Sequence, residues 1–215
     1  MCIRDSLHEV QRNLQLFACL SDDVFLMPPK SELKTKIYFS EKDINKIKSL
    51  AAKDQYIVLA PSSVWFTKQW HQTKWINLIK KLASQYQIYL IGAPADNDYL
   101  NSLYDFKDES YDIINLAGKL SLRESALLMR NALRVIVNDS APLHLASSVN
   151  AKTTAIFCST SPEFGYTPLA DNAQTISLHH KLDCIPCGLH GHKSCPKEHF
   201  KCAMDIDVKQ VTDTI

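Results

Sequence analysis

A doubly wound α/β domain built on a Rossmann-like parallel sheet is the fold this sequence predicts. Three features predict it. From Tyr56 onward, short apolar runs alternate with segments whose apolar residues recur at helical spacing, the rhythm of parallel βαβ units with helices on both faces. Several of the apolar runs end in polar loops that precede a helix, which puts those loops on one edge of one sheet. The chain has 215 residues, 46% of them hydrophobic, which suits one domain plus extensions.

In chain order, residues 1–6 carry no usable pattern and resemble a non-native leader. Leu7 to Leu20 reads as an amphipathic helix with Val10, Leu14, Phe17 and Ala18 on one stripe. Asp22 to Lys36 is loop-like. Ser40 to Ala52 reads as a helix with Ser40 as N-cap and Asp43 favourably placed in its first turn. Residues 1–53 are expected to be a remnant of an N-terminal domain and its linker, and 54–215 the main domain. In that domain the expected strands are Tyr56–Ala60, Ile88–Ile91, Ile113–Leu116, Val135–Val137, Thr154–Phe157 and Thr175–Leu178. The expected helices are Thr73–Gln85, a segment from about Asp96 to Phe106, Ser121–Asn131 and a run starting near Pro142. Ser121 and Glu124 have capping-box spacing, in which each side chain satisfies the other's backbone N–H.

Composition excludes several classes. A net charge of +1 gives no argument for nucleic acid or for an anionic membrane surface as partner. No apolar run approaches the roughly 20 residues a membrane-spanning helix needs, and Met1 to Ser6 lacks a following apolar region of a secretory signal, so a cytoplasmic location is the expectation.

The central stretch is Arg134 to Ser148. Val135, Ile136 and Val137 form the strand, Asn138, Asp139 and Ser140 end it, and Pro142 suits a helix's first turn. Asp139, Ser140, Ala141 and His144 therefore stand where a strand's carboxyl end meets a helix N-terminus. Backbone N–H groups and the helix dipole favour an anion there, and a phosphate-bearing ligand is the first expectation. An ordinary cap is the plainer reading. The loop Pro61–Trp70 adds Ser62, Ser63 and Lys68, a compact charge with three donors suited to phosphate. After the next strand, Asp96 reads either as a ribose contact or as a helix cap, with Gly92 permitting close backbone approach. Leu120 offers an apolar wall for a base. His144 reads as a phosphate or ribose contact or as a structural residue.

Cys184, Cys187, Cys195 and Cys202 crowd into one segment, unlike the scattered Cys2, Cys19 and Cys158. Clustered thiols can hold a structural zinc tetrahedrally, or remain reduced, or pair. Nothing in the sequence links this segment to the polar edge.

Taken together, Pro61 with Thr67-Lys68-Gln69-Trp70, Asn115 to Gly118, Asn138-Asp139-Ser140-Ala141-Pro142-Leu143-His144, and Ser159 to Glu163 resemble the C-terminal half of glycosyltransferase family 9, the ADP-heptose:lipopolysaccharide heptosyltransferases. The cysteine tail resembles a variant within that family. The resemblance covers about residues 54–215. It implies a GT-B architecture of two Rossmann-like domains, of which this chain holds the donor-binding C-terminal one and little of the N-terminal one. It implies an inverting transfer of heptose or a related sugar from an ADP-sugar to a lipid-linked lipopolysaccharide core acceptor, with no cofactor required and peripheral contact with the inner face of the inner membrane. Carried over, Lys68 neutralises the diphosphate with Ser63 nearby. Asp139, Ser140, Ala141 and His144 form the loop around diphosphate and sugar. Asp96 faces the ribose, Leu120 lies by the adenine, and the catalytic base is expected in the N-terminal domain. Ala141 stands where the family usually has glycine. The other readings are a non-catalytic nucleotide-binding module and a zinc-stabilised interaction protein.

Overall fold

Six parallel strands form one sheet: β1 (Tyr56–Ala60), β2 (Gln87–Leu90), β3 (Ile113–Asn115), β4 (Arg134–Asn138), β5 (Thr153–Phe157) and β6 (Ala173–Ser177), in the order β3-β2-β1-β4-β5-β6. The computed structural model describes residues 7–18, 20, 26–51, 55–105 and 111–215. Helices α1 (Glu9–Ala18), α2 (Glu41–Leu50), α3 (Gln72–Leu82), α4 (Asn97–Ser102), α5 (Leu122–Arg130), α6 (Ala141–Ser148), α7 (Lys201–Met204) and α8 (Val208–Thr212) surround it. Residues 1–6, Cys19, Ala52 and Phe106, named above, lie outside the described residues, as does part of the Asp22–Lys36 loop.

Alternate strand residues feed two cores, because successive Cβ atoms point to opposite faces. Ile57, Leu59, Ile88, Leu90, Ile136 and Ile156 pack with Trp75 and Leu78 of α3, Leu100 of α4 and Val211 of α8. Val58, Tyr89, Val135, Val137 and Phe157 pack with Ile47 of α2, Leu127 of α5 and Leu143 of α6. The doubly wound α/β sheet expected from the sequence is therefore present, and its near-continuous apolar strands reflect burial on both faces.

The described helix boundaries are mostly tighter than periodicity suggests. The third helix stops at Leu82, three residues before Gln85, because the chain must turn into β2 at Gln87. The segment from Asp96 divides into a 3-10 turn at Pro94–Asp96 and the short α4. β6 begins at Ala173, two residues before the expected start. It lies at the sheet edge with half-exposed side chains, so pairing with β5 sets its length and apolar content does not mark it. The last two helices have four and five residues, too short to show a helical period.

Both expected caps at Ser40 and Ser121 form. Ser40 and Asp43 make a full capping box, beyond the first-turn charge effect expected for Asp43. At the second box Glu124 Oε2 accepts from Ser121 N–H at 2.7 Å and from Lys46 Nζ at 2.9 Å, so it also ties α2 to α5. The Ser121 backbone bond first, then Lys46, holds the Glu124 carboxyl below its ordinary value. This contribution is full above the unfolded pKa of about 4.5 and is lost as pH falls through the lowered folded value. Glu124→Gln is expected to cost about 1 kcal/mol at pH 7, or 2–4 °C in Tm. Thermal melts at pH 7 and pH 3 check this, since the difference from the parent chain should shrink at the lower pH.

Among the described residues, no helix is long and apolar enough to cross a membrane.

Candidate functional site

The sheet order reverses direction between β1 and β4. In open α/β sheets the crevice outside the carboxyl ends at such a switch point is where ligands bind. The loop after β1 carries Lys68 and the loop after β4 carries Asp139. Their side chains meet there, Nζ to Oδ2 at 2.7 Å, with only 17% and 7% of their surfaces exposed. Thr160, at the end of β5, donates its hydroxyl to the same Oδ2 at 2.6 Å. An ammonium has three donors, so the Lys68 head can keep its bond to Asp139 and still reach an anion.

Asn138 fastens the two loops. It is fully buried, donates Nδ2–H to Pro61 O at 2.6 Å, and accepts the Trp70 N–H on Oδ1 at 3.0 Å. One amide thus spans the start and the end of the Lys68 loop. From the sequence Asn138 is expected to end the strand, and it is the last residue of β4. Its signal was a polar side chain continuing an otherwise apolar strand.

Ser140 sits at the N-cap position of α6 in extended conformation, without a side-chain cap bond, and Pro142 lies in the first turn. First-turn amides have no intrahelical carbonyl, so this end favours an anion. Ala141 is exposed, so its Cβ is accommodated where a glycine was the family expectation.

A groove of about 690 Å³ runs along this edge and is lined by Ser62, Ser63, Asp96, Leu120, Ser140 and Ala141, with mostly apolar neighbours. The structure therefore brings six of the predicted site residues together. Asp96 caps: its Oδ2 accepts from Ala93 N–H at 2.7 Å and from Ser62 Oγ at 2.9 Å. Gly92 makes room for this, since a Cβ there would lie 2.9 Å from that oxygen. His144 does not line this groove. It opens on a cavity of about 310 Å³ shared with His8 and Tyr166. Desolvation lowers the His144 pKa, with the Asp139 charge opposing the shift and His8 and Lys68 adding to it.

Two features of the cysteine segment are added by the structure. First, it does reach the polar edge. Its backbone bonds to Thr67, where His192 N–H donates to Oγ1 at 2.7 Å and His192 O accepts from Thr67 N–H at 3.1 Å. Second, its sulfurs do not close into a tetrad. Among the described residues, the potential metal ligands gathered within 4.8 Å of one another are Glu163, His179 and His180 at the surface. Cys158, Cys184, Cys187, Cys195 and Cys202 are free thiols. Burial pushes the Cys202 thiol up to about 12, with Cys187, Cys195 and Cys184 near enough to add to the effect. Burial likewise holds Cys158 well above the ordinary thiol value. At pH 8, iodoacetamide is expected to modify the half-buried Cys184 and Cys195 at least tenfold faster than Cys158 and Cys202, since the thiolate is the nucleophile. Peptide mass mapping over time checks this.

Sheet order and a polar crevice at the switch point define the class, a doubly wound α/β protein of the Rossmann type. The profile of glycosyltransferase family 9 (heptosyltransferase) matches residues 3–198. The chain belongs to that family. It is 30% identical over 132 residues to lipooligosaccharide heptosyltransferase 2 of Campylobacter jejuni, a match covering 60% of this chain and 40% of the relative. The chain thus spans about two fifths of the length of that curated relative. Escherichia coli ADP-heptose LPS heptosyltransferase II superposes with a TM-score of 0.74 at 21% identity, over 99% of this chain and 62% of that one. The family 9 glycosyltransferase of Veillonella parvula superposes at 0.77 with 18% identity, over 100% and 60%. These likenesses establish the fold, which in such relatives is GT-B.

Proposed function

We propose that this chain is the donor-binding part of an inverting heptosyltransferase that takes heptose, or a related sugar, from an ADP-sugar. The observation that carries this reading is the meeting of Lys68 with the loop leading into α6, at the switch point of a family 9 sheet. The diphosphate lies between the Lys68 ammonium and the α6 N-terminus. The groove takes the nucleoside, with Leu120 against the adenine and Ser62 and Ser63 near the phosphates. The bonds Asp96 makes fall on Oδ2, so Oδ1 serves the ribose. His144, near enough to Asp139 to feel its charge, serves the sugar side as a hydrogen-bonding group.

In the reaction, an acceptor hydroxyl attacks the anomeric carbon and the nucleoside diphosphate leaves from the opposite side. Negative charge grows on the leaving phosphate, where Lys68 and the helix N-terminus are already aimed. These groups supply the stabilisation without a metal cofactor. The acceptor is a lipid-linked saccharide of the lipopolysaccharide core, which places the work at the cytoplasmic face of the inner membrane. On this reading the base that deprotonates the acceptor is not among the groove residues named above.

Calorimetric titration with ADP, UDP and GDP tests the reading. ADP is expected to bind at least tenfold tighter than the other two. Equal affinity for all three, or none for any by a folded chain, would contradict it. Zinc on Cys184, Cys187, Cys195 and Cys202 is a structural role that requires the sulfurs to draw together. About one zinc per reduced chain, lost in Cys184→Ser, would support it, and no retained zinc would remove it.

A further inference from the structure

The residue before Lys68 is where the cysteine-bearing segment is fastened to the site. Thr67 is 1% exposed and is hydrogen-bonded to His192 and Ser159. Its N–H and Oγ1 bond His192 O and N–H, and Oγ1 also accepts from Ser159 Oγ at 3.0 Å. The segment is tied a second time where Cys187 N–H donates to Ser159 O at 2.8 Å. The residue after Ser159 is Thr160, which holds Asp139. Lys68 is therefore one residue and one hydrogen bond from the strap, residues 187–192, and Asp139 is joined to the same strap through Thr160, its neighbour Ser159 and the Ser159–Cys187 bond.

Gly191 allows this approach. It has φ of +81°, and a Cβ on it would stand 2.9 Å from Thr67 Oγ1, 3.1 Å from Lys68 Cγ and 3.2 Å from Ser159 Oγ. A lysine side chain has four rotatable bonds, so its head is placed by its backbone and by what packs on its stem. Here Thr67 pins the backbone and Gly191 packs on the stem.

We infer that Thr67 is a positioning residue and that the cysteine-bearing strap acts through it to aim Lys68 at the diphosphate. This rests on the reading of Lys68 given above. The strap thereby influences nucleotide affinity from outside the groove.

The test is ADP titration of the 215-residue chain with Thr67→Val, Thr67→Ser, Gly191→Ala and Lys68→Ala, each confirmed folded by thermal melting. Thr67→Val keeps the shape and removes the hydroxyl, and is expected to weaken ADP about tenfold. Thr67→Ser restores the oxygen and should stay within about twofold of the parent chain. Gly191→Ala removes no hydrogen-bonding group but drives a Cβ against Thr67 Oγ1 and Lys68 Cγ, and should weaken ADP like Thr67→Val. In a Lys68→Ala background, Thr67→Val should have no further effect, because its influence runs through the lysine. Unchanged affinity in Thr67→Val and Gly191→Ala, or an equal loss with Lys68 already removed, would overturn the inference while leaving the Lys68 reading intact. Failure of Lys68→Ala to weaken ADP would overturn both.

Discussion

Lys68→Ala is expected to weaken ADP binding by about 10- to 150-fold, the equivalent of the 1.5–3 kcal/mol that hydrogen bonds to charged groups contribute. The size follows from burial. With 17% of its side chain exposed, Lys68 works where solvent screens little, and its pair with Asp139 fixes the direction of the ammonium. Removing it also leaves the Asp139 carboxylate buried with, among the described residues, the Thr160 hydroxyl as its side-chain partner, a further negative charge facing the incoming phosphates. Both effects reduce affinity, so they add. Lys68→Arg is not expected to restore the parent value, since a planar fork does not reproduce a point charge bonded to both Asp139 and phosphate. Calorimetry on the two variants, beside their melting curves, separates affinity from stability.

Asn138→Ala is expected to be the most destabilising single change at the site, at about 2–4 kcal/mol and on the order of 10 °C in Tm. The substitution removes the partner of two backbone groups on buried residues, Pro61 O and Trp70 N–H. Asn138→Asp does not rescue it. The acceptor toward Trp70 survives, but the donor that met Pro61 O at 2.6 Å becomes a second oxygen. Because those groups bracket the Lys68 loop, ADP affinity should fall along with stability. Urea unfolding followed by ADP titration in the native baseline measures each.

What could be read from the sequence was local. The run Tyr56-Ile57-Val58-Leu59-Ala60 is a strand to the residue because five apolar side chains buried on two faces leave no other reading. Ser121 and Glu124 announce a helix start because the two partners are three residues apart. The shared groove of Ser62, Asp96, Leu120 and Ser140 was legible because each follows a strand and the strands lie side by side. The bond between Thr67 and His192 spans 125 residues, and no periodicity or spacing carries such a contact. The same holds for Asn138, whose role depends on loops 77 and 68 residues away. His144 does feel the Asp139 charge, as chain proximity suggests, but it lines a different cavity with His8 and Tyr166, a contact with distant residues that no spacing carries.

The central claim is that a nucleoside diphosphate binds between the Lys68 loop and the α6 N-terminus. Amide shift mapping of ¹⁵N-labelled chain during ADP titration tests it most directly. A second cavity, about 340 Å³, lies against Lys34, Lys36 and Arg130 and offers a basic alternative on the same molecule. The largest saturable shifts are expected at Ser63, Lys68, Ser140 and Ala141, with the Lys34–Phe39 amides unmoved. Shifts concentrated at Lys34–Phe39 and Arg130, with Lys68 and Ala141 unmoved, would contradict the account.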